Sequence, residues 1–109
     1  MWILAKILYC TPPSGGGIWI GDDTQIAAQC YIIDMDHGTQ AGIPTRLQEN
    51  HVGKIVIGKD VWLSAGVKVL RGSYIHDGAV IGAGAVVKGD IPSNAIAIGS
   101  PARPIKYRE

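Results

Sequence analysis

A six-residue repeat constrains this chain more than any other feature. From Ile57 the sequence divides into IGKDVW, LSAGVK, VLRGSY, IHDGAV, IGAGAV and VKGDIP, led by Ile57, Leu63, Val69, Ile75, Ile81 and Val87. Upstream, IGDDTQ, IAAQCY and IIDMDH run behind Ile20, Ile26 and Ile32. Every leader is a branched aliphatic residue, and most fifth positions (Thr24, Cys30, Asp36, Val61, Val67, Ser73, Ala79, Ala85, Ile91) are small or apolar. An amphipathic helix needs apolar residues about 3.6 apart. Six is instead a multiple of the strand period of two, so each hexad fits a short strand and a tight turn. Three hexads close a triangular coil of eighteen residues. Parallel strands stack about 4.8 Å apart. That spacing predicts Ile57 on Ile75, Leu63 on Ile81 and Val69 on Val87, with the Ile20–His37 coil beneath.

Composition narrows the function classes. The 109 residues make one domain, and its core must be aliphatic because Phe is absent. Ten Lys+Arg against nine Asp+Glu argue against a nucleic-acid partner, which needs clustered cations. A hydrophobic content of 47% excludes an acidic disordered chain. No stretch approaches the ~20 apolar residues of a membrane-spanning helix. Cys10 and Cys30 form neither a disulfide framework nor a zinc site, and read as buried small side chains in a reducing cytoplasm. Met1–Tyr9 lacks a basic leader and a cleavage site, and reads as a strand or short helix packing onto the domain.

The repeat, with the segments IIDMDHG (32–38), IVIGKDVWLSAGVKVL (55–70), IGAGAVVKGDIP (81–92) and AIGSPARPIK (97–106), resembles the hexapeptide-repeat acyltransferases. The likeness covers about residues 18–106 and is nearest the maltose, galactoside and capsular-polysaccharide O-acetyltransferases. It implies an all-β, left-handed parallel β-helix of about three to four coils with one protruding loop. The left hand comes from the family and departs from the usual crossover rule. The expected organisation is an N-terminal apolar segment and Gly-rich link over 1–17, a β-helix over 18–94 with a loop at 38–53, and a C-terminal capping segment over 95–109. Relatives usually carry an N-terminal helical segment and further coils before the histidine coil, so the family pattern is short here at its N-terminal side. Met1–Tyr9 is expected to cap one end of the solenoid and Ala95–Tyr107 the other, because open coil ends expose strand edges.

The break in the repeat after His37 carries the first site expectation. GTQAGIPTRLQENHVG is polar with Gly and Pro and reads as a loop leaving the coil. A hydroxyl is a poor nucleophile until a base takes its proton, and imidazole titrates near neutrality. The resemblance implies that His37 is this base. Asp34 and Asp36 flank it as candidate substrate-side residues, one of which orients the ring. Alternation puts both on one strand face, so the choice between them stays open. His51, in the same loop, and His76, at a second position, read as surface residues.

Trp62 ends its hexad on an outward edge, where it needs cover from the 38–53 loop or from a neighbouring subunit. The resemblance implies that it borders the acyl-transfer pocket. Ser64 and the stacked small residues Ala65 and Ala83 leave room for a thin ligand. The family binds the pantetheine arm of coenzyme A along such a groove between subunits, with the Ala65 N–H as oxyanion donor. Lys88, Arg103 and Lys106 stand near positions where the family meets the coenzyme A phosphates. VVKGDIP departs from the frequent pattern, with Lys88 then Gly89 where many members have Thr then Lys.

The expected protein is therefore a cytoplasmic, homotrimeric, acetyl-CoA-dependent O-acetyltransferase acting on a sugar or polysaccharide hydroxyl, with no metal cofactor. A noncatalytic β-helix scaffold and an acyltransferase with a serine or amine acceptor are the alternatives.

Overall fold

The computed structural model describes strand residues 2–3 and 6–8 and the continuous segment 15–109. The predicted contacts at Cys10 and in the link before Gly15 lie outside the described residues. Three faces of short parallel strands form a triangular prism. Face I stacks β3 (Ile18–Ile20), β8 (Ile55–Ile57), β11 (Tyr74–Ile75) and β14 (Asp90–Ile91). Face II stacks β1 (Trp2–Ile3), β4 (Gln25–Ile26), β9 (Trp62–Leu63), β12 (Val80–Ile81), β15 (Ala95–Gly99) and β16 (Ala102–Tyr107). Face III stacks β2 (Lys6–Leu8), β5 (Tyr31–Ile33), β10 (Lys68–Val69) and β13 (Val86–Val87).

The register is the one the hexads predict. Ile57 pairs with Ile75, Leu63 with Ile81 and Val69 with Val87, above Ile20, Ile26 and Ile32. Ile26, Ile32, Leu63, Val69, Ile75, Ile81 and Val87 are fully buried. Burying each such side chain is worth about 1.5–3 kcal/mol. The columns therefore supply the stabilisation that hydrogen bonding within two-residue strands cannot. Two inward polar residues are matched by hydrogen bonds. Thr24 Oγ1 donates to the Gly58 carbonyl at 2.9 Å and accepts from the Val61 N–H at 3.2 Å. Ser73 Oγ donates to the Leu70 carbonyl at 2.7 Å and accepts from the Gly89 N–H at 3.3 Å.

The last coil departs from the strict period. Ile91 is the register partner of Ile75, so it is a column leader and not the fifth residue of a sixth hexad. The corner at Lys88–Gly89 is two residues shorter than the others, and Gly89 makes the tighter turn at φ +103°. From Ile91 the spacing of six resumes and Ala97 stands over Ile81.

At one end of the prism, β1 pairs with β4 and β2 pairs with β5. At the other, the chain reverses after β15 and β16 runs antiparallel along it, covering the last strand edge of face II. Among the described residues no helix is long and apolar enough to cross a membrane.

Candidate active site

His37 stands where the coil is interrupted. Between faces III and I the chain bends at Asp34 and projects outward as a hairpin of β6 (Met35–His37) and β7 (Asn50–Val52). The hairpin returns through Gly53 to β8. His37 is exposed and opposite Asn50, and Asp36 is opposite His51. Beyond His37 the loop is held by Gln48. Its side chain accepts from the Gln40 N–H at 3.0 Å and donates to the Gln40 and Ile43 carbonyls at 3.0 and 2.8 Å.

The two flanking carboxylates do not share a face. Asp34 is fully buried, and its Oδ2 accepts the Gly17 N–H at 2.6 Å. Asp36 is exposed and forms a 2.8 Å ion pair with Arg71 Nε. Alternation fails because the bend at Asp34 ends β5 and β6 starts a separate hairpin. Asp36, a fifth residue by spacing, is for the same reason not an inward one. Asp34 braces the base of the hairpin, and Asp36 ties its arm to the next coil. Arg71 was not among the sequence candidates. As the third residue of its hexad it carries no signal beyond an exposed charge.

Trp62 is 49% exposed on the outer surface of face II, between Gln25 and Val80. In a triangular prism that face is opposite the corner where the 38–53 hairpin leaves. Cover of Trp62 by the loop of its own chain, one of the two expectations, is therefore excluded. Within one chain His37 and Trp62 stand on different sides of the prism.

The corner between faces II and III carries the small residues. Ala28–Gln29, Ala65–Gly66 and Ala83–Gly84 stack as successive turns, with the Gly66 N–H donating to the Ala28 carbonyl at 3.0 Å and the Gly84 N–H to the Ala65 carbonyl at 2.9 Å. Gln29, Gly66 and Gly84 take the left-handed position of each turn. The Ala65 and Ala83 side chains are exposed, and Ser64 is half-buried beside them. Among the described residues the Ala65 N–H takes no part in the backbone ladder, and the Ala83 N–H is in the same situation. The edge thus offers a smooth strip with free backbone donors. Cys30 lies just inside it, its thiol donating to the Ser64 carbonyl at 3.1 Å. Burial pushes that thiol's pKa up, opposed by backbone hydrogen bonds from Val67, Gly66 and Ala27.

The three predicted cations are not clustered. Arg103 and Lys106 share exposed β16 at the end of face II, opposite Ile98 and Ile96. Lys88 is exposed at the corner between faces III and I. His76 lies on face I, its ring stacked on Tyr74 with centroids 4.1 Å apart.

The family pattern described as bacterial transferase hexapeptide (six repeats) matches residues 54–89. The chain belongs to the hexapeptide-repeat transferases. Other likenesses extend beyond those repeats. A protein of Escherichia coli named for lipopolysaccharide-biosynthesis O-acetyl transfer, WbbJ, is 39% identical over 97 residues, covering 82% of this chain and 50% of that protein. The structure of a galactoside acetyltransferase in complex with coenzyme A is 34% identical, with a TM-score of 0.77, over 83% of this chain and 44% of that one. A hexapeptide-repeat-containing acetyltransferase from Vibrio cholerae, complexed with acetyl coenzyme A, is 28% identical, with a TM-score of 0.80, over 95% of this chain and 54% of that one. This hexapeptide-repeat chain spans about a third to a half of the length of the curated relatives it matches. The prism is accordingly a left-handed parallel β-helix, the hand expected of the family.

Proposed function

We propose that the protein is an acetyl-CoA-dependent O-acetyltransferase acting on a sugar or polysaccharide hydroxyl, with its active site between subunits of a homotrimer. The observation that carries this reading is the likeness, at 34% identity, to a galactoside acetyltransferase complexed with coenzyme A. The separation of the His37 corner from face II supports the subunit arrangement. A second copy packed along the prism brings the His37 hairpin of one chain against the Trp62 face and the Ala65–Ala83 edge of another.

His37 acts as general base. It takes the proton of the acceptor hydroxyl as that oxygen attacks the thioester carbonyl carbon. The resulting oxyanion is stabilised by the Ala65 N–H, a fixed donor of the kind worth about 3–4 kcal/mol in acyl transfer. When the tetrahedral intermediate collapses, the carbon–sulfur bond breaks and the imidazolium returns its proton to the departing thiolate. The acetyl ester and free coenzyme A are the products. Trp62 and Asp36 border the acceptor side, and Asp34 sets the hairpin from below. Ser64, Ala65 and Ala83 line the donor arm, with Lys88, Arg103 and Lys106 available to its phosphates.

The test is thiol release from acetyl-CoA over a panel of hydroxyl and amine acceptors. His37→Ala is expected to lower kcat by at least about a hundredfold. Its acetyl-CoA affinity, by calorimetric titration, should stay within about twofold of the native value. Full activity in His37→Ala overturns the base assignment, and a strictly monomeric mass overturns the shared site. Failure of the folded native chain to bind acetyl-CoA favours the scaffold reading, and transfer only to amines or serine favours the third.

A further inference from the structure

Face II carries an open cleft of about 330 Å³, lined by Asp23, Gln25, Asp60, Trp62, Val80 and Arg108. This volume is at the lower end of small-molecule sites and holds a single sugar-sized ring. Its floor is the row Gln25–Trp62–Val80, set side by side by strand register. The Trp62 ring is half exposed there, a flat apolar surface for the C–H face of a ring. Its rim is the corner between faces I and II, where Asp23 and Asp60 both take left-handed turn positions at φ 63° and 54°.

The charges of the rim are not equivalent. Arg108 Nη1 donates to Asp60 Oδ2 and to the Gly78 carbonyl, both at 2.9 Å, so that guanidinium is already engaged. Among the described residues the Asp23 and Gln25 side chains have no hydrogen-bond partner. Asp23 supplies acceptors for hydroxyl protons, and the Gln25 amide supplies both a donor and an acceptor. Two carboxylates against one committed guanidinium leave the cleft net negative.

We infer that this cleft binds a neutral pyranoside ring, stacked on Trp62 and hydrogen-bonded by Gln25 and Asp23, and that its negative rim excludes acidic sugars. The exclusion is selection by repulsion, since an anionic ring meets Asp23 without a free cation to offset it. Trp62 alone was a site candidate from sequence. Asp60 belongs to the same hexad as Trp62, Asp23 and Gln25 are brought to it by the coil beneath, and Arg108 by the chain reversal that follows β15. The identification of this ring as the acyl acceptor rests on the proposed acetyl transfer, whereas its binding does not.

The test is a ligand-observed NMR titration of the native chain with a neutral methyl hexopyranoside and with the corresponding methyl hexuronide, alongside an acetyl-CoA titration. Saturable binding of the hexoside, with the hexuronide at least about tenfold weaker, is the expected result. Trp62→Ala and Gln25→Ala each weaken the hexoside about tenfold or more, with the melting temperature held. Asp23→Asn narrows the gap between neutral and acidic rings. An oligosaccharide with the same terminal ring that binds more tightly than the hexoside identifies a glycan end as the source. Equal binding of both rings, or binding indifferent to Trp62→Ala and Gln25→Ala, overturns the inference. Acetyl-CoA binding with no sugar binding overturns it and leaves acetyl transfer standing. Sugar binding without acetyl-CoA binding leaves it standing and removes acetyl transfer.

Discussion

Asp36 and Arg71 are joined by a 2.8 Å ion pair that ties the protruding hairpin to the corner of the next coil. Asp36 is next to His37 in β6, so the pair anchors the strand that carries the imidazole.

Arg71→Ala is expected to separate stability from activity. The partner side chains are 41% and 54% exposed, and such a pair contributes about 0.5 kcal/mol or less. The melting temperature should therefore barely move. Hydrogen exchange at Asn50–Val52 should accelerate, and on the proposed role of His37 acetyl transfer should fall by about three- to tenfold through its mispositioning. Unchanged exchange in the hairpin would refute the tether.

Core truncation should be far costlier. Leu63 is fully buried, stacked between Ile26 and Ile81. Leu63→Ala leaves a cavity that neighbouring coils cannot close without losing strand register. A loss of about 2–5 kcal/mol is expected in urea unfolding.

Two glycines separate steric from conformational constraint. A Cβ on Gly21 would lie 2.6 Å from the Gly58 carbonyl carbon, so the coils must move apart. Gly66 has φ +73°, and a Cβ there would meet nothing nearer than 3.9 Å. Gly66→Ala should cost only the left-handed strain of about 1–2 kcal/mol. Gly21→Ala should cost more and lower the melting temperature further. The reverse order, measured in the same denaturant series, would contradict the close packing at Gly21.

Cys30 makes stability depend on alkaline pH. Desolvation raises its thiol pKa above the ordinary 9.0, so the folded state favours the protonated form. That stabilisation is complete below the unfolded pKa and is lost as pH rises from it through the folded value. Urea midpoints measured from pH 7 to above 9 should fall for the native chain, and less for Cys30→Ala. Alkylation of Cys30 should be slow until the chain unfolds.

The hexad leaders alone determined the coil, its stacking partners and the aliphatic columns from Ile20 to Val87. A local repeat whose period matches the strand pleat leaves one way to bury its apolar set. The position of the interruption after His37 was equally legible, because a run of polar, Gly and Pro residues cannot continue the columns. Only the tertiary structure separated Asp34 from Asp36, since a bend in the backbone, and not alternation, decides which carboxylate turns inward. It also moved Ile91 into a column by shortening one corner, a choice the apolar pattern leaves equally open. The pairing Arg71–Asp36 follows from where the hairpin leaves the prism, Arg108–Asp60 from the chain reversal into β16, and the cleft uniting Gln25, Trp62 and Asp23 from which residues successive coils bring to the same face. A charged or polar residue at an outward position carries no mark of its neighbour a coil away, so these contacts were decided by packing.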